Sequence, residues 1–171
     1  SLKDLTRPVA AVGGETEPVD PEKAFRVNIT PRGNESLHTR IDIADCCYLY
    51  RDKTKFELVA ADGAPLPDVR LGEYTLPPGK IKVDEFIGKT EVYEQGFETL
   101  LPVAGLDGGD RDLQLRMRYQ GCSEQGVSIC YPPATKTFGV QFRGGVLSAA
   151  QASVAPPATM ADGAPCDLRN F

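Results

Sequence analysis

The chain has 171 residues, 41% of them hydrophobic and 25% charged, an ordinary globular composition long enough to bury one sizeable core. Nineteen basic residues against twenty-four acidic leave a net charge of -5, and the basic stretch from Arg111 to Arg118 is interspersed with acids, which argues against a nucleic-acid partner. No apolar run approaches the roughly 18 residues of a membrane span, and Ser1 opens a polar stretch rather than a charged-then-apolar leader, so any leader or membrane segment is expected outside this stretch.

Residues 1–18 mix Pro8, Gly13, Gly14 and Pro18 without periodicity and are predicted to be flexible. Asp20 followed by Pro21 and Glu22 has the cap-then-proline pattern of one short helical turn. From there the chain alternates with a period of two. Phe25, Val27 and Ile29 fall on one side of a strand, and the same pattern recurs in Leu37 to Ile43, Lys55 to Leu58, Ile81 to Val83, Leu113 to Tyr119 and Phe138 to Phe142. Turn signals such as Pro31-Arg32-Gly33-Asn34, Ala61-Asp62-Gly63, Pro77-Pro78-Gly79 and Asp107-Gly108-Gly109 separate these runs, which predicts an all-β sandwich of antiparallel strands over residues 19–143. Residues 144–171 are rich in Gly, Ala, Ser and Pro and are predicted to be a flexible linker or tail.

The chemistry rests on five cysteines, an odd number, so at least one lacks an intramolecular partner. Cys122 and Cys130 enclose seven residues, with Gly126 free to take the positive φ that a tight reversal requires, so the two thiols can meet across a hairpin. Closing a loop of about nine residues stabilises the bonded form by roughly 2.6 kcal/mol from chain entropy, a bias that a reducing partner can reverse. Spacing alone therefore leaves two readings, a structural staple and a redox-active pair. A zinc site is not expected: there is no Cys-x-x-Cys, and the single histidine, His38, lies on an alternating strand. Cys46 and Cys47 are adjacent in a predicted strand and point to opposite faces, so they are expected to be two separate, partly buried thiols. Cys166 falls in the predicted tail and is given no chemical role.

The run Tyr119-Gln120-Gly121-Cys122, with Cys130-Tyr131-Pro132-Pro133-Ala134-Thr135-Lys136 after it, resembles the active-site hairpin of the N-terminal domain of DsbD-type thiol:disulfide interchange proteins. Tyr48-Leu49-Tyr50-Arg51, Asp84-Glu85-Phe86-Ile87-Gly88-Lys89 followed by Glu91-Val92-Tyr93, and Val19 to Phe25 resemble other segments of that domain, in the same order. The resemblance covers about residues 19 to 143. It implies an immunoglobulin-like sandwich with a small active-site subdomain, in the periplasm, as part of an inner-membrane protein. It implies no metal or organic cofactor. The electron donor would be the protein's own C-terminal thioredoxin-like domain. The acceptors would be a DsbC-type isomerase and a thioredoxin-like protein of cytochrome c maturation.

By the same resemblance Cys130 attacks and forms mixed disulfides, and Cys122 resolves them. Phe86 would be a cap over the sulfurs, with Gly88 as a hinge. Asp84 and Glu85, with Glu124 inside the cysteine loop, would place negative charge near the thiols and disfavour thiolate. Tyr48 and Tyr50, two residues apart on one strand face, would line the site with hydroxyls. Three features depart from the family pattern: a longer loop between the cysteines, Ile87 where an aromatic is expected, and cysteines at positions 46 and 47. Cys46 shares a face with Tyr48 and Tyr50 in this reading, so it could be a third thiol near the pair.

Overall fold

The structure is a computed structural model that describes residues 19–107 and 109–150. Among the described residues, apart from one four-residue helix, α1 (Pro21–Ala24), and one 3-10 turn (Arg51–Lys53), the regular structure is β. Asp20 caps α1 as its sequence requires, its Oδ1 accepting the Glu22 N–H at 2.8 Å.

Thirteen strands follow among the described residues: β1 (Phe25–Arg32), β2 (Ser36–Ile43), β3 (Cys47–Tyr50), β4 (Lys55–Ala60), β5 (Arg70–Leu71), β6 (Lys80–Asp84), β7 (Gly88–Tyr93), β8 (Phe97–Ala104), β9 (Arg111–Tyr119), β10 (Gly121–Ser123), β11 (Ile129–Cys130), β12 (Ala134–Arg143) and β13 (Val146–Ala149). They form three antiparallel sheets, in the orders β1-β2-β8-β5, β13-β12-β9-β4 and β11-β10-β3-β7-β6. The main core is built from the apolar alternates of the first two sheets, including Phe25, Val27, Ile29, Leu37, Leu113, Leu115, Met117, Phe138 and Val140, all at most 2% exposed.

The third sheet forms a smaller side subdomain that carries Cys122 and Cys130. It leans on the main core through Cys47 and Leu49 of β3 and Tyr93 of β7, and Gly121 of β10 lies against Phe25. A Cβ on Gly121 would stand 2.3 Å from Phe25 Cζ and 2.6 Å from the Tyr48 carbonyl oxygen, so only glycine lets β10 lie this close. Phe25 in turn meets Tyr119 and Tyr131 edge-on, each at 5.9 Å between ring centroids. This aromatic contact fixes the strand that carries Cys122.

Two sequence expectations are corrected. The sandwich does not end at residue 143: Gly144 and Gly145 have φ of 57° and 81°, the backbone of a two-residue hairpin turn, and β13 pairs with β12 beyond them. Glycine content there marks a turn rather than a linker, and Leu147 is buried. The expected flexible segment 1–18 and the tail from 151 onward, with Cys166, lie outside the described residues. The second correction concerns β6. Its alternation is real, but Ile81 and Val83 are 57% and 80% exposed while Lys82 and Asp84 turn inward. β6 is the edge strand of the third sheet, and its register puts Lys82 and Asp84 on the face of Tyr48 and Tyr50, so Ile81 and Val83 take the opposite, outward side, outside both core clusters.

Candidate active site

Strand register aligns the site. Cys122 lies directly opposite Cys130 on one side and opposite Tyr48 on the other, so Cys130, Cys122 and Tyr48 share one face across three strands. Tyr50 pairs with Val92, and Val92 with Lys80, which places Lys80, Lys82 and Asp84 of β6 on that same face. Tyr48, Tyr50, Val92 and Cys122 form a small hydrophobic cluster of their own, separate from the main core, with Cys130 packed against it.

Cys122 and Cys130 are joined by a disulfide, closed by the turn in which Gly126 has φ of 66°. Cys122 is fully buried, whereas Cys130 is partly exposed. The Tyr50 hydroxyl stands 3.1 Å from Cys122 Sγ and 3.3 Å from Cys130 Sγ, and donates to Asp84 Oδ2 at 2.8 Å. The Tyr48 hydroxyl also donates to Asp84 Oδ2. The two rings meet edge-on at 5.8 Å. Asp84 Oδ1 accepts the N–H groups of Phe86 and Ile87 at 2.6 and 2.7 Å.

Asp84, 2% exposed, is thus a buried carboxylate with four donors. Burial alone would push its pKa up, but Tyr48, the Ile87 amide, Tyr50 and the Phe86 amide outweigh it and hold the carboxyl below its usual range. The same contact works in reverse on the tyrosines: burial first, then the adjacent carboxylate, raises both hydroxyls well above the ordinary tyrosine value, so they remain donors. One carboxylate therefore ties the turn between β6 and β7 to the hydroxyl that touches both sulfurs.

Phe86 occupies that turn, lies outside both hydrophobic clusters and is 49% exposed, as is Ile87 beside it. Gly88 closes the turn with φ of 96°, a conformation that glycine adopts without strain. Glu85 is exposed at its tip. Glu124 is differently placed from a bare acid beside the sulfurs: its carboxylate is 3.1 Å from Lys82 Nζ, which compensates much of its charge. Lys82 also reaches Glu94 at 3.4 Å and sits 5.0 Å from the Tyr48 ring centroid. Lys82 is the site residue that sequence reasoning passed over. It alternates with Ile81 and Val83, but only the register of β6 on β7 and of β7 on β3 shows that its side of the strand walls the site.

The remaining cysteines correct a third expectation. Cys46 does not lie in the strand but precedes it, with φ of 67°, and it is disulfide-bonded rather than a thiol beside Cys122 and Cys130. It is not bonded to Cys47, which is a free, buried thiol facing the main core. Burial, reinforced by the charges of Asp45 and Glu124 against a hydrogen bond from Ser123, pushes the Cys47 thiol up to about 11, which makes it inert as a nucleophile. His38 pairs with Glu98 on the sheet surface, away from the cysteines.

An immunoglobulin-like sandwich whose side sheet holds a cross-strand disulfide against a buried Tyr-Asp cluster defines a class of domain: a β-sandwich with a thiol-disulfide centre. The chain belongs to the family described as "Thiol:disulfide interchange protein DsbD, N-terminal", whose model matches residues 15–141. It is 33% identical over 152 residues to thiol:disulfide interchange protein DsbD 2 of Pseudomonas aeruginosa, covering 89% of this chain and 23% of that protein. The crystal structure of the Neisseria meningitidis DsbD N-terminal domain in its reduced form superposes with a TM-score of 0.60 at 31% identity, covering 78% of this chain and 95% of that one. A second Neisseria meningitidis structure, a complex between the DsbD and PilB N-terminal domains, matches with a TM-score of 0.51 at 30% identity over 71% of this chain and 85% of that one. The chain spans about a quarter of the length of the two Pseudomonas aeruginosa relatives it matches. Among the described residues no helix is long and apolar enough to cross a membrane.

Proposed function

We propose that this chain is a periplasmic module that relays electron pairs between thioredoxin-like proteins through Cys122 and Cys130. The observation that carries the reading is the pairing of the two cysteines under the Tyr50 hydroxyl, with one sulfur buried and the other partly exposed. In the proposed cycle the Cys130 thiolate attacks the disulfide of an oxidised acceptor, and the acceptor's second sulfur leaves and takes a proton. Cys122 then attacks the Cys130 sulfur of the mixed disulfide. Two electrons and two protons pass to the acceptor, and the Cys122-Cys130 disulfide forms.

Family membership supports thiol-oxidoreductase partners in general, and within that class the C-terminal thioredoxin-like domain of a DsbD-type protein would reduce the pair, and a DsbC-type isomerase or the thioredoxin-like protein of cytochrome c maturation would reoxidise it. That a Neisseria relative has been solved as a complex with another protein's N-terminal domain supports protein partners as a class. Tyr48, Tyr50 and Asp84 would keep the free dithiol sluggish, because a buried carboxylate beside the sulfurs disfavours thiolate. The competing reading is an immunoglobulin-like interaction domain whose disulfide only staples a hairpin.

Reduction potential separates the two readings. Equilibrating the pair against glutathione and counting alkylated thiols by mass should give a potential above about -300 mV, since structural disulfides in exported proteins typically lie below that value. A pair that stays bonded throughout would be a staple.

Phe86 is the proposed shield of the sulfurs. Its exposure and its place on a turn closed by Gly88 suit a ring that excludes small reagents and moves aside for a docked protein. Phe86→Ala should speed alkylation of the reduced pair by a small reagent several-fold and lower stability by well under the ~3–5 kcal/mol that truncating a core ring costs. Unchanged alkylation with a large fall in melting temperature would assign the ring to packing instead.

A further inference from the structure

The two sulfurs and a carboxylate oxygen of Asp84 all lie within 4.8 Å of one another. Disulfide sulfurs are poor ligands because they carry no charge, but the exchange cycle proposed above opens this bond on every turnover. We propose that the reduced site binds one thiophilic divalent cation of the Zn2+ class through Cys122, Cys130 and Asp84, and that this metal arrests exchange. The inference rests on the exchange reading to the extent that the pair must open.

The geometry is close to what such an ion needs. Tetrahedral coordination with metal-sulfur bonds of about 2.3 Å puts two sulfurs about 3.8 Å apart, near the contact distance of two thiols released from a bond. A carboxylate oxygen at about 2.0 Å from the metal lies about 3.5 Å from each sulfur, so Asp84 has to move by little more than roughly an ångström. Its orientation is already set by the Tyr48 and Tyr50 hydroxyls and by the turn amides of Phe86 and Ile87, the kind of outer shell that holds a metal-binding carboxylate in place. The fourth position is left for water on the partly exposed side of Cys130.

Charge points the same way. Two thiolates and a buried carboxylate held within 4.8 Å would place three like charges side by side, an arrangement that calls for a cation between them. Lys82, on the same face of β6 as Asp84, is already engaged by Glu94 and Glu124. A dication supplies the missing compensation: it displaces one proton from each thiol, forms two metal-sulfur bonds and one metal-oxygen bond, and changes no oxidation state. Both thiols are then withdrawn from exchange. The expectation against zinc counted ligands along the sequence, whereas Asp84 reaches the cysteines from a different hairpin.

The test uses the full chain with Cys46, Cys47 and Cys166 changed to Ala, so that the pair holds the only thiols. The protein is reduced with a phosphine, freed of reductant without air, and titrated with Co2+, whose thiolate charge-transfer absorption reports sulfur coordination directly. One equivalent should bind and be displaced by Zn2+, and the oxidised protein should give no signal. Cys122→Ser or Cys130→Ser should abolish the band, and Asp84→Asn should weaken binding at least tenfold. Asp84→Glu, which keeps the charge on a longer arm, should recover part of that affinity and stands in if the Asn variant does not fold. Binding that is indifferent to Asp84, or that survives loss of either cysteine, overturns the proposal. Two free thiols that take up no Co2+ at millimolar concentration overturn it while leaving exchange intact. A disulfide that resists the reductant in the folded protein sinks both readings.

Discussion

Cys122→Ala should accumulate a covalent adduct with an oxidised thioredoxin-like partner, and Cys130→Ala should not. Thiol exchange passes through a mixed disulfide that collapses when the second thiol of the pair attacks it, so losing the resolving thiol traps the complex and losing the attacking thiol prevents it. The assignment of roles follows exposure as well as family resemblance: Cys130 is partly open to solvent, whereas Cys122 is sealed beneath Tyr48, Tyr50 and Val92. A partner's sulfur can reach the first and not the second without the subdomain opening. The expected result is near-complete trapping by one variant against none by the other, read as a band on non-reducing gels that dithiothreitol removes. Cys46, Cys47 and Cys166 are changed to Ala in the same background, since any other exposed thiol could form adventitious adducts with the partner. Trapping by Cys130→Ala alone would exchange the two roles, and trapping by neither would make the pair a staple.

The parts of the fold that local chemistry dictates were readable in advance. The strands β1, β2, β9 and β12 bury the alternates that their period of two marks out, and the turn of α1 forms where Asp20 and Pro21 require it. What could not be read is which of two alternating sides meets the core. In β6 the apolar side faces outward, because the strand lies at the rim of a side sheet, and only the register β6-β7-β3 makes its polar side the wall of the site. Lys82 was missed for that reason. Cys46 was misplaced because a residue at positive φ before a strand breaks the alternation on which face assignment depends. The strand β13 was missed because a pair of glycines looks the same in a linker and in a hairpin turn until a partner strand is known. Family resemblance brought Asp84, Tyr48 and Tyr50 into one site, but their sharing of a single carboxylate oxygen is a fact of the third dimension.

That shared carboxylate leads to the second large effect. Asp84→Ala should cost roughly 2–4 kcal/mol of stability, taking about 1–2 kcal/mol for each of the two buried tyrosine hydroxyls left without an acceptor. The amides of Phe86 and Ile87 should add little, because that turn is half-exposed and water can replace the lost oxygen. For a domain of this size the melting temperature should fall by roughly 5–15 °C. The pH dependence carries the sign of a depressed carboxylate: because the folded pKa lies below the ordinary aspartate value of about 4, the stabilisation is present at and above that value and is lost as the pH falls through the lower folded pKa. The stability curves of the wild type and of Asp84→Ala should therefore run apart near neutrality and converge in acid. Chemical reactivity should move in the opposite direction from stability. With the neighbouring negative charge gone, the reduced Cys130 thiol should ionise more easily, so its alkylation rate should reach half-maximum at a lower pH than in the wild type. A variant that loses stability while its alkylation profile stays in place would make Asp84 a turn cap and nothing more, and one that shifts the profile without loss of stability would show that the tyrosine hydroxyls find other acceptors.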